Sequence, residues 1–376
     1  MKFKNHKKTG GQILIECLIK HSIDRVFCVP GESYLAALDA FYDFRKKIKL
    51  INAKHEATAS NMAEAYGKLT GKPGVAFVTR GPGACHASIG VHIAKQDSTP
   101  MVLFVGQVAT KMYRKESFQE IDYVSMFSKV AKKSFQISKV EGIEKLIHKA
   151  FQISNSGRKG PVVIALPEDI LVKTTVQQNL SVFHIKKAMV NKDQILKIKS
   201  LLELSKKPLI ILGGTNWSEN SKKNIKIFVK KNHLPVVTSF RRQDLIDNRC
   251  KNYVGTLGTS VSPKLLSAFK EADLILSIGS RLSDMSTNSF KLFNKSLEKT
   301  KLIQIYPSFK EIEKVFNAEL YIETDINNFA NKIFKFNWFN REKWGNWLKR
   351  LRKEYSDDIL IKENYNNHSL ATICSK

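Results

Sequence analysis

One carboxylate and two glycine-rich turns carry the chemistry this sequence can do. Glu56 follows a short strand pattern, Lys49 to Asn52, and opens a helical one, Glu56 to Leu69. Its neighbours Ala57, Ala59, Met62, Ala63 and Ala65 are small or apolar. An acid in such surroundings can share a proton with a weak base held against it. Pro30-Gly31 and Gly81-Pro82-Gly83 end two other strand patterns, and glycines let a ligand approach the backbone closely. In open α/β sheets ligands bind outside the carboxyl ends of the strands, so these three loops are expected to meet at one crevice. The bland alternative is that Glu56 only caps a helix N-terminus, where a negative charge is favourable. Residue pattern alone leaves both readings open.

The elements that must position these groups alternate. Gly11 to His21 reads as an amphipathic helix, Arg25 to Cys28 as a strand stopped by Val29-Pro30-Gly31, and Ser33 to Phe44 as a helix. The Glu56 helix closes on Thr70-Gly71-Lys72-Pro73-Gly74. Val75 to Thr79 and Met101 to Gly106 are apolar strands flanking a helix that runs through Ile93. A helix over Glu144 to Ser154 leads to a last buried strand, Gly160 to Pro167. Strands apolar on both faces, alternating with helices, imply a parallel sheet covered on both sides. Pro208 to Leu212, Leu234 to Thr238, Leu274 to Ile278 and Lys301 to Tyr306 repeat the pattern. The expected fold class is therefore α/β, with two doubly wound parallel-sheet domains. The boundaries read as a first domain over 8–172, a linker over 173–192, a central domain over 193–335 and a helical tail over 336–376, helical at Arg341 to Tyr355.

The chain has 376 residues, 43% of them hydrophobic, and a formal net charge of +28. That length needs more than one core. The basic excess is mostly lysine and is spread along the chain, without a zinc-finger, RNP-like or basic-zipper pattern, so it reads as a solvated surface and no nucleic-acid partner is expected. The five cysteines include no C-x-x-C pair, and an odd count argues against a disulfide framework. Cys28 and Cys85 read as small packing residues. No apolar run is long enough to cross a membrane, no signal peptide is visible, and a cytoplasmic location is expected. No metal ligands are assigned.

The run Lys54-His55-Glu56-Ala57-Thr58-Ala59-Ser60-Asn61-Met62-Ala63-Glu64-Ala65-Tyr66-Gly67 resembles the pyrimidine-binding domain of the acetolactate-synthase and pyruvate-oxidase superfamily of thiamine-diphosphate enzymes. Val29-Pro30-Gly31, Thr79-Arg80-Gly81-Pro82-Gly83-Ala84, Gln96-Asp97-Ser98-Thr99-Pro100, Gly106-Gln107-Val108, Phe118-Gln119-Glu120-Ile121-Asp122 and Gly160 to Pro167 continue the likeness in order. The resemblance implies that Glu56 activates the cofactor's aminopyrimidine at N1′. It also implies that Pro30, Gly31, Thr79, Gly81, Pro82 and Gly83 shape the pocket, and that Gln119 faces the reacting carbon as a second catalytic residue. The implied reaction is decarboxylation of a pyruvate-like 2-oxo acid with carboligation, the work of a transferase or lyase of branched-chain amino-acid biosynthesis. Cys28 stands where the family has Gly, Arg80 where Ser is usual and His86 where Asn is usual, which puts the substrate in question. His55 and His92 read as structural or minor pocket residues.

The second half resembles the family's central domain through Pro208 to Gly214, Leu234 to Thr238 and Ala272 to Asp284. In acetolactate synthases that domain carries FAD, and Gly279 and Arg281 stand at the matching positions. The acidic and basic pair that usually follows is here Asp284-Met285, so FAD is left open. The family's diphosphate-binding domain, which holds Mg²⁺ through a G-D-G motif and a paired Asn, has no counterpart here. Asn366-Asn367 lacks an upstream G-D-G. The expectation is an oligomer, either of this chain or with a partner chain that supplies the diphosphate domain. The alternatives are a non-catalytic or regulatory protein that keeps the fold, or an inactive truncated product.

Overall fold

The computed structural model describes residues 7–182, 188–292, 299–309, 316–335 and 343–360. They fall into two compact units, one within residues 1–186 and the other within residues 187–376. Both are α/β with all-parallel central sheets, as the alternation predicts.

In the first unit the order is β1 (Lys7–Thr9), α1 (Gly10–Lys20), β2 (Arg25–Cys28), α2 (Leu35–Asp43), β3 (Lys49–Asn52), α3 (Glu56–Thr70), β4 (Gly74–Val78), α4 (Pro82–Asp97) and β5 (Met101–Gln107). There follow α5 (Tyr123–Met126), β6 (Lys133–Gln136), α6 (Ile143–Asn155), β7 (Pro161–Pro167), α7 (Glu168–Val172) and β8 (Thr174–Val176). The main sheet runs β3-β2-β4-β5-β7-β6. Its central strands are buried on both faces, and alternate residues enter opposite layers. Val75 and Phe77 of β4, Val102 and Phe104 of β5, and Val162 and Ile164 of β7 join α1, α2 and α6 in one layer. Ala76 and Val78, Leu103 and Val105, and Val163 and Ala165 join α3 and α4 in the other. A one-residue slip of register would exchange the two sets.

The strand order places the chemistry. The first strand of this sheet, β2, lies between β3 on one side and β4 on the other, so the chain reverses its winding between β2 and β4. The carboxyl ends of these two strands flank the crevice where open α/β sheets take ligands. Val29-Pro30-Gly31 leaves one strand and Thr79-Arg80-Gly81 the other.

The start of α2 and the stretch after α7 depart from the sequence reading. Glu32–Tyr34 is a 3₁₀ turn, and the regular helix begins only at Leu35. The stretch read as linker contains β8, which pairs antiparallel with β1, Lys7 opposite Val176 and Thr9 opposite Thr174.

The second unit comprises α8 (Lys192–Leu204), β9 (Pro208–Leu212), α9 (Glu219–Lys231), β10 (Val236–Thr238), β11 (Tyr253–Thr256) and α10 (Pro263–Glu271). It continues with β12 (Leu274–Ile278), β13 (Lys301–Tyr306), β14 (Leu320–Glu323), α11 (Ile326–Ile333) and α12 (Gly345–Ile359). Its sheet runs β11-β10-β9-β12-β13-β14. The helix expected in the tail is α12, and it packs into this unit. Trp344 just before it is 1% exposed and donates its indole N–H to the carbonyl of Ser205 at 3.1 Å. Trp347 donates to the carbonyl of Pro208 at 2.9 Å, and Leu348 and Leu351 are buried beside it. Asn366 and Asn367 lie outside the described residues. No helix among the described residues is long and apolar enough to cross a membrane.

Candidate active site

Glu56 is the first residue of α3, and its side chain is 14% exposed. The helix starts here because His55 is extended and its Nδ1 accepts the N–H of Ala57 at 3.1 Å. It ends at Gly71, whose left-handed backbone suits glycine. Between these caps α3 buries Ala59, Ser60, Ala63 and Gly67, while α4 buries Ala84, Ala87, Gly90 and Ala94. Small residues on both faces let the helices approach closely. A Cβ on Gly90 would stand 2.5 Å from Ser60 Oγ.

This packing brings His86 of α4 to Glu56, with Nδ1 3.0 Å from Oε2. The His86 ring also stacks on His55, centroids 4.5 Å apart and planes 29° from parallel. His86 is half exposed, so the pair faces solvent. The other carboxylate oxygen, Oε1, takes no hydrogen bond among the described residues. It looks toward Gly83, where an added Cβ would lie 3.6 Å from it and 2.9 Å from Thr79 Cγ2. His55, Glu56 and His86 also bring potential metal-ligand atoms within 4.8 Å of one another. His55 Nδ1 is already engaged by Ala57, however, and the group reads best as a carboxylate buttressed by a stacked imidazole pair.

The turns interlock around the same point. A Cβ on Gly31 would stand 2.5 Å from Thr79 Cβ, so the β2 loop lies directly on the β4 loop. Ser33 Oγ is 2.9 Å from Thr79 Oγ1 and accepts the N–H of Arg80 at 3.2 Å. Gly81 has φ 62° and ψ −117°, a conformation essentially confined to glycine. Its N–H donates to Tyr123 Oη at 2.7 Å in a buried contact. Burial pushes that hydroxyl up to about 12 from its ordinary value of 10.0. Pro82 follows as the first helical residue, where a missing N–H costs nothing. A Cβ on Gly81 would come within 2.7 Å of Gln119 Cβ, and Gln119 itself holds φ 63°.

The structure therefore joins Gly31, Thr79, Gly83 and Glu56 in one chain of contacts, and Gly81 with Gln119 in another that shares the β4 turn. Pro30 is exposed just before Gly31. Arg80 turns to Glu168, donating from Nη1 to Oε2 at 2.9 Å. His92 is exposed further along α4, and Cys28 donates from Sγ to Asn52 Oδ1 at 3.1 Å. Ser33 and Tyr123 escaped the sequence reading. Ser33 had a weak signal, a hydroxyl two residues after a Pro-Gly turn, whereas Tyr123 had none.

Gly279 and Arg281 belong to the second unit, after β12. Gly279 has φ 76°, and a Cβ there would meet the carbonyl oxygen of Gly213 at 2.5 Å. The reverse holds for Gly214, whose Cβ would meet the Gly279 oxygen at 2.1 Å. The loops after β9 and β12 thus cross backbone to backbone, which accounts for these glycines without a ligand.

Comparison with known proteins finds a match in each unit. Residues 8–126 match the thiamine pyrophosphate enzyme N-terminal TPP-binding domain, and residues 195–333 match the central domain of the same enzymes. The chain is similar to the acetolactate synthase large subunit of Buchnera aphidicola subsp. Schizaphis graminum, 32% identical over 93% of this chain and 63% of that protein. It is similar to the large subunit of Lactococcus lactis, 31% identical over 94% of this chain and 61% of that protein. The mitochondrial catalytic subunit of Saccharomyces cerevisiae is 30% identical over 92% of this chain and 53% of that protein. The chain thus spans 53% to 63% of the length of these relatives. With both domain matches in order and a carboxylate at the switch point of the first sheet, the chain belongs to the thiamine-pyrophosphate enzyme family, acetolactate-synthase-like in its N-terminal and central domains.

Proposed function

We propose that this chain supplies the pyrimidine-binding half of an enzyme that decarboxylates a pyruvate-like 2-oxo acid and joins the product to an acceptor. The observation that carries the reading is the placement of Glu56: a mostly buried carboxylate at the switch point, with one oxygen held by His86 and the other facing Gly83. The residues fit thiamine diphosphate on that ground, since a planar ring can approach Oε1 where Gly83 presents no side chain. When bound, the cofactor supplies an electron sink for the carbanion left by loss of carbon dioxide.

The chain's own residues do the rest. Glu56 holds or passes a proton at Oε1, the role of a positioned general acid or base. His86, donating from Nδ1, fixes which oxygen is free. Thr79, Gly81 and Gly83 shape the wall beside it, with Pro30 and Gly31 on the neighbouring loop. Gln119, pinned by Gly81, orients the reacting carbon of the 2-oxo acid. Holding the diphosphate and its Mg²⁺ is the work of a diphosphate-binding domain supplied by the assembly in which this chain acts. FAD is not needed for this reading, because the Gly279 turn is explained by the Gly213-Gly214 backbone.

The test combines the full chain with a separately expressed diphosphate-binding domain from an acetolactate synthase large subunit, thiamine diphosphate, Mg²⁺ and pyruvate. Acetolactate and carbon dioxide should form, and Glu56→Gln should lower the rate by roughly 10²–10⁴-fold, the range of general acid–base catalysis. Product formation that ignores Glu56→Gln refutes the role of Glu56. No product with any such domain points instead to a non-catalytic protein that keeps the fold.

A further inference from the structure

The other layer of the first unit, across the sheet from Glu56, holds buried reactive groups that this chemistry does not use. Cys17 of α1 and Glu144 and His148 of α6 are 0%, 3% and 1% exposed. Glu144 and His148 are four residues apart and so share one side of α6. The thiol sulfur, a carboxylate oxygen and a ring nitrogen all lie within 4.8 Å of one another.

Burying such groups together is costly unless each polar atom finds a partner. Two atoms make no hydrogen bond: Glu144 Oε2 and His148 Nε2 are sealed from solvent, with Nε2 standing 3.8 Å from Glu144 Oε1. Their other atoms are engaged. Glu144 Oε1 accepts from Lys20 Nζ at 2.7 Å and from Gln177 Nε2 at 3.5 Å. His148 Nδ1 lies 2.8 Å from His21 Nε2, and the His21 ring is stacked on Phe151 at 4.2 Å. With the proton of that contact on His148 Nδ1, Nε2 presents its lone pair to the cluster. Metal-bound imidazoles are oriented in the same way, the second nitrogen donating to a fixed acceptor.

We propose that Cys17, Glu144 and His148 bind one divalent cation of the zinc class, which clamps α1 to α6. One sulfur, one nitrogen and one oxygen donor suit Zn²⁺ better than Mg²⁺ or Ca²⁺, which favour oxygen alone. The ligand atoms must draw in to roughly 3.4–3.8 Å apart, the spacing set by metal–ligand bonds of about 2.0–2.3 Å. Binding forms a sulfur–metal bond, breaks the Cys17 S–H bond and releases that proton to solvent. Lys20, whose side chain is 30% exposed, can turn outward as the cation takes over its partner.

The test titrates the full chain carrying Cys85→Ser with Co²⁺, then displaces Co²⁺ with Zn²⁺. The Cys85 change removes the exposed thiol beside His86. A near-ultraviolet thiolate-to-Co²⁺ charge-transfer band should saturate at one equivalent. Cys17→Ser should abolish it, His148→Gln should weaken binding at least tenfold, and His86→Ala should leave it intact. X-ray absorption of the Zn²⁺ form, which needs no variant at the site to fold, should show one sulfur in the first shell. A shell of nitrogen and oxygen only, a band that survives Cys17→Ser, or no band at any Co²⁺ concentration tested overturns the proposal.

Discussion

Replacing Gly81 by alanine combines two physical costs at the centre of the site. The backbone there has φ 62° and ψ −117°, and holding a side-chain-bearing residue in such a region costs about 1–3 kcal/mol. The new methyl would also stand 2.7 Å from Gln119 Cβ and 3.1 Å from its Cγ. Neither partner can retreat freely: the Gly81 N–H is tied to buried Tyr123, and Gln119 already occupies φ 63°. Overpacking of this kind adds about 1–3 kcal/mol, for a total of about 2–6 kcal/mol. For a unit of this size each kcal/mol lowers the melting temperature by about 2–4 °C, so Gly81→Ala should melt roughly 4–24 °C lower. Scanning calorimetry of the full chain without cofactor reads this directly. Gly142→Ala is the matched control, since Gly142 has φ −85° and nothing within 4 Å of a built Cβ. If Gly81→Ala melts within about 1 °C of the parent, the strain and the contact with Gln119 are both refuted.

Tyr123→Phe should cost about 1–3 kcal/mol at neutral pH in urea unfolding, because it leaves the buried Gly81 N–H unpaired. It should also flatten the alkaline limb. Tyr123 ionises near 10.0 when unfolded and at about 12 when folded, so its contribution is whole below pH 10 and is lost as pH rises through 12, on the order of 2–3 kcal/mol. A parent and variant with parallel alkaline limbs would contradict this. Gly31→Ala keeps an allowed backbone at φ −149° but drives a methyl into Thr79. Hydrogen exchange at Arg80 N–H, held by Ser33 Oγ, should quicken, and an unchanged rate would disprove the interlock. Trp344→Ala should destabilise the second unit by about 3–5 kcal/mol; a loss below 1 kcal/mol by the same urea assay would mean that Trp344 is not part of its core.

The parts legible in the sequence were those encoded locally. β3 falls at its expected residues although it flanks its sheet, and β2 at its own because it is a short apolar run stopped by a turn signal. Glu56 as the start of a helix, and the two Pro-Gly turns as strand ends, were visible for the same reason. The elements missed were edges and long-range pairs. β6, β11 and β14 flank their sheets, so none needs the continuous apolar run that marks a central strand. β14 buries only Ile322 fully. β8 is a strand only because β1 lies beside it, and no local pattern in Thr174–Val176 announces that. The 3₁₀ turn at Glu32–Tyr34 is likewise set from afar, since Ser33 is held against Thr79. The contacts of Gly81 with Gln119 and Tyr123 join residues that the sequence shows only as separate loops. Trp344 and Trp347 show how aromatic residues in a charged stretch can be core rather than tail.

The short antiparallel pair of β1 and β8 has a consequence for how the first unit can be handled. Lys7 opposite Val176 places the unit's entry and exit side by side. A chain whose ends adjoin can be reopened elsewhere and rejoined by a short bridge with little loss. The first unit is therefore a portable cassette: permuted at an exposed loop, or inserted whole into an unrelated surface turn, it should keep its fold, because its sheet order does not depend on which residue comes first.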